Sequence, residues 1–89
     1  MSTHTSHPEI VKRLKRAEGH LRSIVTMLED GRNCLEIAQQ LQAVESAVGS
    51  AKKTLVHDHI DHCLEQAVRS NPQNTDEILR EFKGITKYL

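Results

Sequence analysis

Asn33-Cys34 and His57-Asp58-His59-Ile60-Asp61-His62-Cys63 lie near the two ends of one stretch, Asn33 to Val68, and how that stretch is read decides the fold. No proline falls within it, and Gly49 is its one glycine. Ile37, Leu41, Val44, Val48, Ala51 and Leu55 recur at spacings of three and four, the mark of an amphipathic helix. Asn33 with Glu36 three positions on makes a capping-box pattern, which predicts that the helix starts there.

His59 and Cys63 are four residues apart and therefore share one helix face, one turn from each other. An imidazole and a thiolate so placed are half of a site for a soft or borderline metal. Cys34 lies upstream by roughly 38 Å at about 1.5 Å per residue, beyond reach within one straight helix. Two copies packed antiparallel would bring Cys34 of one beside His59 and Cys63 of the other. The crossing would fall near residues 46 to 49, where Ser46, Ala47 and Gly49 are small enough for close approach. A lone cysteine in such a helix commonly packs as a small hydrophobe. It is the three-ligand convergence that points to a dimer with two equivalent metal sites across its interface.

Outward from that helix, residues 1–7 are polar and expected to be a flexible tail without ligand, with residues 8–89 a single all-helical domain. The tail carries His4 and His7. With Met1 removed, Ser2-Thr3-His4 would place a free amine and an imidazole so as to wrap Ni(II) or Cu(II) in a square plane. Ser6 and Glu9 form a second capping box, with Pro8 in the first turn. A first helix is predicted from there to about Asp30, its apolar stripe being Ile10, Leu14, Ala17, Leu21, Ile24, Val25 and Leu28. Gly31 is its expected left-handed cap. Gly19 inside it costs about 1 kcal/mol relative to Ala, which suggests close packing against a neighbour. The joint Arg32-Asn33 is short, so the first two helices should form an antiparallel hairpin. Cys34 then takes the first position of the second helix, where the positive dipole end favours a thiolate. Ser70-Asn71-Pro72-Gln73-Asn74 should end that helix, and Asn74 with Glu77 should start a third carrying Ile78, Leu79, Phe82, Ile85 and Leu89.

Composition bounds the function. Only Phe82 and Tyr88 are aromatic, and a chain of 89 residues cannot cover both sides of so long a helix alone, so oligomerisation is the natural remedy. Two distant cysteines without a signal peptide are no secreted disulfide framework, and no apolar run reaches the roughly 18 residues of a membrane span. A cytoplasmic location is expected, where thiols stay reduced. Twelve basic and twelve acidic side chains cancel, but their distribution is uneven. Lys12, Arg13, Lys15, Arg16 and Arg22 crowd the first helix, whereas Asp58, Asp61 and Glu65 gather near the histidines. A cysteine hydrolase with His59 activating Cys63 would need a third orienting group, and none is visible. The chain is not expected to be an enzyme.

Lys12-Arg13-Leu14-Lys15-Arg16-Ala17-Glu18-Gly19-His20-Leu21, then Cys34, then His59-x-x-x-Cys63 resemble the CsoR/RcnR/FrmR family of small bacterial repressors that sense copper, nickel or cobalt, or formaldehyde. The resemblance covers nearly the whole chain. It implies an all-α, three-helix protomer with a long central helix, a dimer built on antiparallel second helices, and a tetramer as a dimer of dimers. It implies, too, a repressor that binds double-stranded operator DNA in the apo form and leaves it on binding ligand. Cys34, His59 and Cys63 match the ligands of the copper sensors, and Glu81 matches an outer-shell glutamate. The nickel sensors add a ligand from the N-terminal segment, a part His4, His7 or the terminal amine would play. Asn33 stands where copper sensors commonly carry a tyrosine, and Ser2 where formaldehyde sensors carry a proline. Two thiolates and an imidazole suit trigonal Cu(I), and an added nitrogen makes a plane that suits Ni(II); the Ser2-Thr3-His4 start tilts the choice towards Ni(II). Lys12, Arg13, Lys15, Arg16, Lys52 and Lys53 would contact DNA phosphates. Two other readings are a cytoplasmic metal buffer with no DNA partner and a formaldehyde-responsive repressor of the same family.

Overall fold

The computed structural model describes residues 6–69 and 75–89, which form three helices and no strand. They are α1 (His7–Glu29), α2 (Cys34–Arg69) and α3 (Thr75–Thr86). The expected joint at Ser70–Asn74, its Asn74 cap and the first five residues, His4 included, lie outside the described residues. The helices divide between two compact units, Pro8–Lys52 and Lys53–Leu89, the latter also taking in the chain's start up to His7.

In the Pro8–Lys52 unit, α1 and the first half of α2 form the hairpin that the short joint predicts. Gly31 closes α1 with φ +69°, a conformation that costs a residue without a Cβ little. Arg32 N–H donates to the Met27 carbonyl at 3.0 Å and Gly31 N–H to that of Leu28 at 3.1 Å, the two bonds of a Schellman cap. Asn33 then caps α2. Its Oδ1 accepts from the amides of Leu35 at 2.8 Å and Glu36 at 3.2 Å, satisfying donors that the helix start leaves orphaned. Glu36 departs from the expected box, because its carboxylate pairs with the Arg32 guanidinium. A charged donor one turn upstream outbids a neutral amide for that carboxylate.

Burial follows a heptad on both helices of this hairpin. Ile10, Ala17 and Ile24 on α1 and Ile37, Val44 and Ala51 on α2 are the buried positions. Ile24, Ile37 and Val44 form one cluster with Met27 packed against it. His20 Nε2 meets Gln40 Oε1 at 2.6 Å, tying α1 to α2 by a polar contact. The predicted α1 stripe is thus only partly covered, since Leu14, Leu21, Val25 and Leu28 remain 43–58% exposed. A Cβ built on Gly19 meets nothing within 4 Å, so one chain does not supply the close neighbour its glycine suggested.

In the Lys53–Leu89 unit the buried residues are Val56, Cys63 and Ile78. Cys63 lies one heptad beyond Val56, which explains why this thiol is inside. The Ser6 hydroxyl donates to Asp58 Oδ2 at 2.6 Å, fixing the described start of the chain to α2 within this unit. His7 is the first residue of α1. Leu89 lies beyond α3, which stops at Thr86 with the Thr86 hydroxyl donating to the Lys83 carbonyl.

Candidate metal centre

His59 and Cys63 stand one turn apart on α2, and α3 brings Glu81 to them. An imidazole nitrogen, Cys63 Sγ and a Glu81 carboxylate oxygen all lie within 4.8 Å of one another. Cys63 is buried at 1% exposure, His59 is half-buried and Glu81 is exposed, so the site opens to solvent on its carboxylate side. The His62 ring lies edge-on to His59, with centroids 6.4 Å apart. Burial pushes the Cys63 thiol up from its ordinary pKa, and the Glu81 carboxylate adds to the push. The thiolate that a metal requires is therefore disfavoured until a cation arrives to offset both causes.

Nitrogen, sulfur and oxygen donors from three side chains fit a borderline divalent ion, and two of them fit Cu(I). One of the expected ligands is elsewhere. Cys34 occupies the first position of α2, exposed and free of any disulfide, and is not one of the three clustered side chains. His7 opens α1, and His4 lies outside the described residues. Of the residues expected at DNA, Lys12, Lys15, Arg16, Lys52 and Lys53 are exposed and Arg13 is half-buried. Arg13 and Arg16 line one cleft with His20, Ala47 and Ser50. Reasoning from sequence did not find the His20–Gln40 contact, the Ser6–Asp58 contact or that cleft. The i, i+3 and i+7 spacing of Arg13, Arg16 and His20 was the available signal.

No helix among the described residues is long and apolar enough to cross a membrane. Fold and site together define an all-helical protein whose longest helix carries a His/Cys pair that, with Glu81, could hold a metal ion. Residues 6–85 match the family model of the metal-sensitive transcriptional repressors. The chain is 40% identical over 81 residues to the copper-sensing transcriptional repressor CsoR of Bacillus subtilis, covering 89% of this chain and 80% of that one. It is 37% identical over 78 residues to the copper-sensing repressor RicR of Mycobacterium tuberculosis, covering 88% of this chain and 81% of that one. The solved nickel-responsive transcriptional regulator InrS superposes with a TM-score of 0.81 at 30% identity, covering 100% of this chain and 99% of that chain. The protein belongs to the CsoR-type metal-sensing transcriptional repressors. These relatives are transcription regulators rather than enzymes.

Proposed function

We propose that the metal-free protein holds operator DNA and lets it go when Cys34 of one chain and His59 and Cys63 of another take up Ni(II) or Cu(I), Ni(II) being favoured. The observation that carries this reading is the convergence of His59, Cys63 and Glu81, with the remaining cysteine exposed at the start of the same helix. A bound ion would supply a cross-link between chains. The chain's own residues set what is linked.

The surface of α2 supports an antiparallel partner. Leu41, Val48 and Leu55 are 38–45% exposed and run at heptad spacing in register with Cys34. The midpoint between positions 34 and 63 is 48.5, beside Gly49, where an added Cβ would meet nothing within 4 Å. A second copy laid there covers the apolar row and places its Cys34 by Cys63. Exposed Val11, Leu14, Leu21, Val25 and Leu28 on α1 leave apolar area for a dimer of dimers. Residues 1–7 carry the N-terminal nitrogen donors and residues 8–89 are the working domain, in the cytoplasm where transcription takes place. Lys12, Arg13, Lys15, Arg16, Lys52 and Lys53 contact DNA phosphates.

The choice of Ni(II) rests on donors. Glu81 sets a carboxylate oxygen beside the imidazole and thiol, and so hard an anionic neighbour suits a divalent ion better than Cu(I). His4, His7 or the terminal amine is the nitrogen that completes a plane. Anaerobic titration of wild type and Glu81→Gln with each metal tests this. Thiolate-to-Ni(II) charge-transfer bands at one metal per chain are expected, with Glu81→Gln weakening Ni(II) more than Cu(I). Tight Cu(I) binding without those bands assigns the site to copper, and failure of both metals to dissociate the operator complex rejects the sensor mechanism.

A further inference from the structure

Within the Lys53–Leu89 unit, Val56 and Cys63 are buried on α2 and Ile78 on α3. Glu81 follows Ile78 by three positions and so shares its face of α3, as His59 shares the face of Cys63 on α2. Where the two faces meet, an imidazole nitrogen, the Cys63 Sγ and a Glu81 carboxylate oxygen all lie within 4.8 Å of one another. Among the described residues no other three His, Cys, Asp or Glu side chains converge in this way. Asp58, Asp61 and Glu65 are nearer to these ligands in sequence, yet the carboxylate that joins them comes from α3. Asp58 instead accepts from the Ser6 hydroxyl.

All three donors belong to one chain. Zn(II), a d10 ion without a geometric preference of its own, takes nitrogen, sulfur and oxygen ligands in a tetrahedron. Its bonds of about 2.0–2.3 Å set neighbouring donors roughly 3.3–3.7 Å apart. The three side chains therefore need to close by at most about 1.5 Å, a movement within reach of the exposed Glu81. Cys63 anchors the site from inside at 1% exposure, and the solvent side beyond Glu81 leaves a fourth position for water. Cu(I), which prefers thiolates, gains little from a carboxylate. The donor set thus selects a different class of ion from one built on two cysteines.

We propose that His59, Cys63 and Glu81 of a single chain form a tetrahedral site for a divalent ion of the Zn(II) class, with Glu81 as a direct ligand and with neither Cys34 nor a second chain required. The inference rests on the metal-site reading above for its two α2 donors and goes beyond it in the third donor and the ion. As the metal–sulfur bond forms, the Cys63 proton leaves to solvent, so loading releases a proton. The ion then joins α3 to α2 inside one chain, whereas the two-chain site joins one chain to another. His59 and Cys63 are common to both sites, so one chain's pair serves one of them at a time.

Reduced full-length protein is titrated anaerobically with Co(II), the visible stand-in for Zn(II), and the bound Co(II) is then displaced with Zn(II). Wild type, Cys34→Ala, Glu81→Gln and Cys63→Ala are compared, with helicity checked by circular dichroism. Cys34→Ala should bind one Co(II) per chain as tightly as wild type, with the charge-transfer intensity of one thiolate. Glu81→Gln should weaken both ions by at least about tenfold. Its d–d bands at saturation should also move, because a ligand has changed; a carboxylate outside the coordination sphere would leave them in place. Zn(II) should slow amide exchange across α3 in Cys34→Ala and not in Glu81→Gln, and Cys63→Ala should lose the thiolate band. Cys34 and Glu81 are both exposed, so their variants keep the test valid if Cys63→Ala fails to fold. Loss of the thiolate band in Cys34→Ala would show that a second chain's cysteine is needed and would overturn the one-chain site. Unmoved bands and wild-type affinity in Glu81→Gln would overturn Glu81 as a ligand. Wild-type protein that takes up neither Cu(I) nor Ni(II) would instead sink the two-chain reading, and Co(II) binding by Cys34→Ala tells that failure from this one.

Discussion

Mixing a Cys34→Ala chain with a Cys63→Ala chain should rebuild metal sites that neither has alone. Cys34 begins α2, and Cys63 lies 29 positions further along the same unbroken helix of 36 residues. At about 1.5 Å per residue that is roughly 44 Å of helix, and in the proposed arrangement a second chain closes it. Each homodimer of a single variant lacks one thiolate in both of its sites. In a mixed dimer one site lacks both cysteines and the other keeps Cys34, His59 and Cys63. An isologous interface with random pairing makes half the dimers mixed, so about a quarter of all sites should be intact. The assay is anaerobic titration against a competing chelator after joint denaturation and refolding, with exchange verified by a mass tag on one chain. Wild type sets full occupancy, and each variant alone sets the baseline. Recovery near the baseline, with exchange proven complete, would show that the site does not span two chains, and the antiparallel arrangement would have to be abandoned.

Two further outcomes are expected. The Cys63 thiol is pushed up by burial and then by Glu81, so the folded state binds this proton more tightly than the unfolded one. Its contribution to stability is present below the ordinary thiol pKa of about 8.5 and is lost as pH rises towards the folded value; urea unfolding of the metal-free protein should weaken above about pH 8.5, and Cys63→Ala should show a smaller fall over the same range. An identical fall in both proteins would detach the effect from this thiol. Asn33→Ala removes the oxygen that holds the Leu35 and Glu36 amides and should cost about 1 kcal/mol, read as a lower urea midpoint at unchanged slope.

Local chemistry made the fold readable from sequence. Gly31 and Asn33 punctuate the chain through backbone conformation and a side-chain acceptor, both short-range, and the helix limits beside them came out within a residue or so. His59 and Cys63 were legible for the same reason, because four positions on a helix fix a shared face. What the pattern does not carry is how many chains cover a face. Leu14 and Ile24 belong to the same apolar stripe, yet Leu14 is 43% exposed and Ile24 1%. Periodicity marks both as places to bury without naming the partner. Glu81 was matched by resemblance alone, since a contact between α2 and α3 is long-range and leaves no local trace. The Glu36–Arg32 pair stood in the sequence at i, i+4 spacing, but the capping-box pattern assigned Glu36 elsewhere, whereas the His20–Gln40 contact joins two helices and only three-dimensional proximity reveals it.

The cost of assembling the metal site is what suits it to sensing. A preformed pair of thiolates would trap a soft ion regardless of its supply. Here Cys63 keeps its proton inside the protein, Glu81 deepens that preference, and Cys34 stands exposed at the start of α2. In the proposed two-chain site, uptake would have to displace the proton and bring a second chain's cysteine into place, so part of the gross coordination energy would be spent in building the site. Only the remainder would bias the protein between the proposed DNA-holding and DNA-releasing forms. A coupling of about 1–3 kcal/mol changes DNA affinity by about 5- to 150-fold, and linkage requires bound DNA to weaken metal binding by the same factor. The ion concentration at which the operator is vacated is therefore set jointly by the donors and by the DNA. Removing the Glu81 charge eases loss of the Cys63 proton while also taking away a donor, so its net effect on the threshold depends on whether the ion uses that oxygen. An ion that coordinates Glu81 would then respond only at higher concentration, and one that leaves it outside would respond at lower.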